Sequence, residues 1–348
     1  MDPNVVLPLC SSLLSFVFFV FLIDHWRVRR RPYQLVWAVG MLWYAISAGT
    51  EFLGGAIGWS EPLYRAWYLI GAIMVAGWLG LGTVLLLART RFGLAMVPMF
   101  LLLALISLGG PKLYPDAGIA APIYAAVALL LAVAVGWLAF RRDPRWAAVV
   151  AIGVVAGSVL ATLLVATVPL AAPGWVVDPK THIPTGTLFP GYLRLLTPLF
   201  NVTGAFALTF GALFSAYIFM PKRRIVRYRL DRSQGLARYL GNVLIAIVGF
   251  PVNLLASLPG AVLALFQRRL NSRVPATLLI ALGGLIPAIT SGLNRFGDTS
   301  GFFVGELLGV VFLFSGFLVS VEVFSEIRVP FTRIVLRART ESTTVGAA

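Results

Sequence analysis

Residues Pro221–Leu240 read PKRRIVRYRLDRSQGLARYL, the one long basic interruption in an otherwise apolar chain, and they hold seven of its 28 Lys and Arg residues. Ahead of this stretch lie apolar runs enough for seven membrane spans. Behind it lies a shorter region that divides less cleanly. With 348 residues, 59% of them apolar, and a mean hydropathy of +0.91, the chain is far above the roughly 45–50% apolar content of a soluble domain. A hydrocarbon core about 30 Å thick needs about 20 mostly apolar residues per helix. Backbone groups in lipid must be satisfied internally, so a helix bundle or a closed barrel are the choices. The runs are continuous Leu, Val, Ala, Ile and Phe without period-2 alternation, which selects an all-α polytopic bundle.

Working outward, the runs before the basic stretch fall at about Val5–Ile23, Leu35–Leu53, Ala66–Ala88, Leu94–Leu108, Ile119–Phe140, Ala147–Pro169 and Leu195–Met220. The first has no basic residues ahead of it and no small-residue cleavage site after it, so a retained helix is expected rather than a removed signal peptide. Arg27, Arg29, Arg30 and Arg31 follow it, against Asp2 alone before it, which places the N-terminus outside. Alternate loops then carry basic residues without exception through span seven.

Past the basic stretch the alternation is strained. The run Gly241–Phe266 is long enough to cross, yet Arg268, Arg269 and Arg273 follow it. Pro251 and Pro259 lie inside it, and interior Pro removes a helix hydrogen bond and bends or breaks a helix. A broken hairpin over 241–266, entering and returning on the inner side, is therefore expected, followed by two crossings at 276–293 and 301–324. This gives about nine crossings, with 23 of the 28 basic residues inside and five outside. The expected organisation is a seven-helix transmembrane module over 1–220, a basic cytoplasmic interfacial segment over 221–240, a C-terminal membrane module over 241–340 and a disordered tail over 341–348.

The net charge of +15 raises a nucleic-acid reading, but the basic residues sit at the ends of apolar runs, where topology puts them. No nucleic-acid partner is expected. The single Cys10 lies in the first span and the two His residues, His25 and His182, are far apart. No disulfide, metal site or His-based triad can be built from them, no phosphate-binding glycine loop occurs, and no cofactor is expected.

Intramembrane carboxylates are costly and usually face the bundle interior, which makes each a functional candidate. Glu51 lies near the outer end of span two, and Arg65 opens span three on the same side. Trp43, Tyr44, Trp59, Tyr64, Trp67 and Tyr68 crowd around both, and ten of the 19 Trp and Tyr residues fall between Trp26 and Trp78. Two readings stand side by side: an interfacial aromatic belt with a Glu51–Arg65 ion pair, or an outward-facing pocket lined by Trp43 and Trp67 for a cationic or amphipathic ligand. Glu306 lies in GFFVGELLG between Gly305 and Gly309, a spacing that suits close helix packing, with Arg295 as a candidate partner. Glu322 and Glu326, four apart, read as interfacial charge on one helix face. Asn201 in span seven and Asn253 in the broken segment read as polar spots at kinked helices. In the basic stretch, Arg223, Arg224, Arg227, Arg229 and Arg232 are the candidate contacts for anionic lipid headgroups at the inner face, with the segment as an interfacial helix. A solvated loop that only fixes topology is the alternative.

The stretches Leu63–Leu85 (LYRAWYLIGAIMVAGWLGLGTVL) and Ser291–Glu306 (SGLNRFGDTSGFFVGE) resemble parts of uncharacterised bacterial multi-pass membrane proteins. That resemblance supplies no mechanism or site residue; the cell membrane, with the C-terminus cytoplasmic, is the expected location on the charge distribution. Seven spans with the N-terminus outside also match the topology of microbial rhodopsins, but Lys112, Lys180 and Lys222 all lie in loops, so no retinal Schiff base can form within a span. Three function classes remain. Transport or channel-like handling of a small molecule or lipid ranks first, resting on the expected broken helix. A sensory or scaffold module acting through a membrane-protein partner or a further copy of the chain ranks second. A lipid-modifying enzyme ranks third, for want of a polar cluster.

Overall fold

The computed structural model describes residues 2–171, 175–179, 182–184, 186–229, 235–267, 269–295, 301–320, 326–332 and 334–338. Among these, ten helical stretches are long and apolar enough to cross a membrane, which makes this a membrane-embedded, multi-pass protein. In order they are α1 (Pro3–Arg29), α2 (Pro32–Ile57), the pair α3 (Glu61–Leu69) and α4 (Val75–Leu86), α5 (Phe92–Gly109), α6 (Ala120–Phe140), α7 (Trp146–Thr167), the short α8 (Gly191–Arg194) running into α9 (Leu196–Phe219), α10 (Leu236–Phe266), α11 (Arg273–Arg295) and α12 (Phe302–Val319). Asp2 caps α1 by accepting a hydrogen bond from Asn4 N–H, with Pro3 at the first turn, as helix starts favour. The seven apolar runs expected before residue 221 are all helices.

The helices close into two rings that share one pair. In the first, α1 packs on α2, α2 on α4, α4 on α9, α9 on α11, α11 on α12, and α12 returns to α1. In the second, α9, α5, α6, α7 and α4 follow one another. The shared α4–α9 contact is close because it is made by glycines: a Cβ on Gly80 would sit 2.6 Å from Gly204 Cα, and one on Gly204 would collide with the Ala76 carbonyl. Backbones approach this way where small residues line a helix interface. The α11–α12 contact repeats the device, with Gly305 against Thr290 and Gly309 against Pro287, so the two glycines flanking Glu306 are packing residues as expected. Both rings are filled. Phe18, Leu22, Trp37, Met41, Leu79, Leu208, Leu313 and Phe317 occupy the first; Phe92, Met96, Phe100, Val135 and Trp146 occupy the second.

The largest departure from expectation is at 241–266. In place of two short helices there is a single helix of 31 residues, α10, running through both Pro251 and Pro259. The two prolines sit on its exposed side, and the opposite side is held along its length. Tyr239 meets Phe140, the last residue of α6, edge to face with 5.1 Å between ring centroids. Phe250 packs on Phe210, Phe214 and Tyr217 of α9. Ala261 shares a cluster with Met220 and with Val274 in the first turn of α11, whose neighbour Arg273 lies 4.3 Å over the Phe219 ring. From Tyr239 to Ala261 is about 33 Å at about 1.5 Å per residue. Over that distance α10 touches the finishing ends of α6 and α9 and the starting end of α11, so both of its ends lie at the same end of the bundle.

The first part of the basic stretch, residues 221–229, is not a helix. It is a strap laid antiparallel on α10. Asn253, 1% exposed, accepts from Ile225 N–H at 2.8 Å and Val226 N–H at 2.9 Å and donates to the Val226 carbonyl at 2.8 Å. Ser257 Oγ accepts from Arg223 N–H at 2.9 Å, and Asn242 Oδ1 accepts from Arg229 N–H at 3.4 Å. These bonds satisfy a strap backbone that has no helix or sheet partner of its own. The interfacial helix expected over 221–240 is therefore corrected to a strap over 221–229; residues 236–240 belong to α10, and 230–234 lie outside the described residues.

The last helix also ends earlier than expected. α12 stops at Val319, and Glu326–Arg328 pairs antiparallel with Val335–Ala338 as a short hairpin. Its turn residue Phe331 donates its N–H to Asp24 Oδ1 at 3.2 Å, with the Arg27 guanidinium 5.3 Å over its ring. Glu326 thus begins a strand and does not lie on a helix, which corrects the helical placement expected for it. Glu322 itself and the tail 341–348 lie outside the described residues.

Candidate functional site: a buried carboxyl pair

Glu51 sits two turns before the end of α2 and Glu306 one turn into α12. Packing of α1 against both helices, and of Tyr44 against α12, brings the two carboxyl groups face to face. Glu51 is 5% exposed. Its Oε1 accepts from Trp67 Nε1 at 3.0 Å, while its Oε2 and the Oε2 of Glu306 are both buried without a hydrogen-bond partner. One turn pair below, Tyr44 donates its hydroxyl to the Glu306 backbone carbonyl at 2.9 Å, which fixes α12 against α2 at the height of the pair. Among the described residues no Lys or Arg side chain bonds either carboxyl group. Two carboxyl groups brought together in an apolar setting disfavour double ionisation unless a counter-charge joins them.

The backbone beside the pair is irregular. Between α3 and α4 the chain makes a π-helical turn, Ile70–Met74, whose Gly71 abuts Ser47 Oγ on the same face of α2. Such turns insert one residue into a helix and recur at functional sites. Here the turn follows Trp67, the donor to Glu51.

Arg65 does not pair with Glu51. It is held by Glu61, four residues earlier, through Nε at 2.9 Å and Nη2 at 2.7 Å to the same Oε1, and it donates to the Val165 and Val168 carbonyls at the end of α7. A Glu preceding an Arg by four on a helix is the favourable order. The four-residue spacing of Glu61 and Arg65 is a signal for this pair that the sequence itself carries. The aromatic faces expected to line an outer pocket are used by the protein itself: Tyr64 is fully buried and stacks on Trp175 at 5.8 Å and on Phe189 at 5.6 Å, and Trp59 donates to the His182 carbonyl at 2.8 Å. A shallow groove of about 420 Å3 lies on that side, lined by residues that include Glu61, Arg65, Thr162 and Val165.

Of the other candidates, Trp43 is partly buried with its Nε1 unpartnered. Asn201 is half-buried on α9, away from the pair in sequence and with no bond that draws it there. Asn253 lines no opening; it clips the strap. Arg223, Arg224, Arg227 and Arg229 are exposed on the strap, while Arg232 and the side chain of Arg295 lie outside what is described. Tyr44 stood among the aromatic residues around Glu51, whereas Ser47 and the π-turn were not singled out from sequence; Ser47 carried a signal in its position one helical turn before Glu51 on the same face.

No family model, curated protein or solved structure matches this chain.

Proposed function

We propose that this protein is a membrane transport protein whose working centre is the Glu51–Glu306 pair, exchanging protons for a small cation. The observation that carries the reading is the pair itself: two facing carboxyl groups, buried in an apolar bundle, each with one oxygen lacking a donor. Ionisable groups at membrane depth mark ion and proton pathways by default. The filled interior of the first ring favours an occluded carrier over an open channel, with the π-turn as the element able to rearrange beside the pair. The charge distribution supports nine crossings in the cell membrane with the start of α1 outside, the pair toward the outer face and the C-terminal hairpin inside. Anionic lipid headgroups at the inner face are the expected partners of the strap.

The test is proton movement in proteoliposomes containing a pH-sensitive dye. Imposed gradients of Na+, K+ or an organic ammonium should drive proton counterflow through the wild-type protein, and Glu51→Gln or Glu306→Gln should abolish it while elution from size-exclusion chromatography stays unchanged. Absence of cation-dependent proton flow in the wild type overturns the reading. The same filled interior favours, as the second reading, a sensor or scaffold that works through a membrane-protein partner or a further copy of the chain. Cross-linking in native membranes that recovers one defined partner, without ion flow, would select it.

A further inference from the structure

We infer that α10 does not cross the membrane but lies in the plane of the inner leaflet, and that with its strap it forms a docking surface for anionic phospholipid. This extends the inner-face lipid contact named above and is independent of the ion-exchange step. Three observations carry it. Both ends of α10 lie at the same end of the bundle, because Tyr239 meets the finishing residue of α6 and Ala261 clusters with the finishing end of α9 and the start of α11. A helix crossing the bilayer would leave its ends at opposite faces.

The second observation is the sidedness of α10. Leu244, Val248, Leu255, Val262, Leu263 and Phe266 are between 51% and 82% exposed. Successive steps of about 100° put them on one broad stripe. The residues that bind the strap, Asn242, Asn253 and Ser257, lie across the helix from that stripe. The helix therefore presents a wide apolar face on one side and a hydrogen-bonded polar cover on the other, the division seen in helices that lie at a membrane interface.

The third is charge. The strap carries Lys222, Arg223, Arg224, Arg227 and Arg229, all exposed, on a backbone fixed by Asn253 and Ser257. An apolar face flanked by a clamped row of cations is complementary to acyl chains beneath acidic headgroups, and a water-exposed protein partner would not need the apolar stripe at that depth. The parity of the chain follows: α9 arrives at the inner face, α10 stays there, and α11 leaves from it, so that Arg269 and Arg273 remain on the same side as Arg223.

The experiment uses the full chain in a Cys10→Ser background, reconstituted into nanodiscs of phosphatidylcholine with or without phosphatidylglycerol. Spin labels placed at Leu244→Cys, Leu255→Cys and Phe266→Cys should report one common shallow depth. A crossing helix would instead put Leu255 near the bilayer centre and the other two near opposite faces, which would overturn the inference. Asn271→Cys should react with a membrane-impermeant reagent only from the inner side of oriented vesicles; reaction from outside would also overturn it. For the headgroup contact, the variant Arg223→Gln, Arg224→Gln, Arg227→Gln, Arg229→Gln should lose phosphatidylglycerol preference in native mass spectra by at least about tenfold, given the roughly additive attraction of each cation. Unchanged preference refutes the lipid surface, and labels that are shielded from lipid but cross-link between copies assign the stripe to a second copy instead. Failure of proton exchange would leave all of these outcomes untouched.

Discussion

At the scale of single residues, the glycines of the α4–α9 seam make the sharpest claims. A methyl group on Gly204 has nowhere to go, because the Ala76 carbonyl and Gly77 N–H lie where it would be built. Overpacking a well-filled contact costs about 1–3 kcal/mol, and here the obstacle is backbone that cannot rotate away. Gly204→Ala should lower the thermal unfolding midpoint in detergent by several degrees, while Gly109→Ala, with open space around its Cβ, should leave it unchanged or raise it. Glu51 makes a second claim at this scale. Glu51→Gln keeps an acceptor for Trp67 Nε1 and removes one of the two groups whose double ionisation is disfavoured, so the fold should hold and Trp fluorescence should shift little. Glu51→Ala strands the Trp67 donor in a buried site, at about 1–3 kcal/mol for an unsatisfied group, and should be the less stable of the two by thermal denaturation. Neither the seam nor the pair was readable beforehand. Gly80 and Gly204, like Glu51 and Glu306, are joined only by the packing of helices remote in sequence, whereas Glu61 and Arg65, four apart, were legible.

Elements were read best where an apolar run of about 20 residues stood between charged loops. All seven before the basic stretch are helices, with ends displaced by a few residues. The reading went wrong where it treated Pro251 and Pro259 as breaks. A proline removes one hydrogen bond and bends a helix, but α10 is gripped on its far side by α6, α9, α11 and the strap, and that grip is tertiary. Asn253 makes the grip measurable. It forms three hydrogen bonds to the strap, each worth about 0.5–1.5 kcal/mol net. Asn253→Ala should free Ile225 and Val226 and speed tryptic cleavage after Arg224 and Arg227 several-fold in intact protein. Asn242→Ala, which loses only one long bond to the strap, should change it far less. Outside the helices the Asp143–Arg145 turn before α7 offers a control on pH. The bonded Arg145 holds the Asp143 carboxyl below its ordinary range, so whatever order the turn gains is present at neutral pH and is lost only as pH falls through that lowered value. No change in this turn is expected between pH 6 and 8.

For the whole molecule, the two rings predict which pieces belong together. α11 packs on α9 and α12 on α1, with Phe314 stacked on Phe18 at 4.7 Å, and α12 meets α2 where Phe317 lies 4.8 Å from Trp37. Fragments covering 1–229 and 235–348, expressed together, should therefore co-purify through a tag on either one. Phe314→Ala with Phe317→Ala in the second fragment should weaken recovery, since each large-to-small change in such a core costs about 3–5 kcal/mol. Separate migration of the wild-type fragments would contradict the ring.

The closure of that first ring also sets an order of events during synthesis. Tyr44 and its acceptor on α12 are 262 residues apart, and at about 5–20 residues per second the ribosome needs roughly 10–50 s to deliver the second after the first. Throughout that interval Glu51 has been inserted but its opposite number has not been made. Glu51 lies toward the finishing end of α2, where a charge facing lipid costs less than the ~2.5–3.5 kcal/mol of a helix centre, yet the half-built bundle still carries a polar flaw on its open side. Arrival of α12 is the step that covers the flaw, so a chain truncated before Phe302 should be degraded faster in a pulse-chase than one that includes α12.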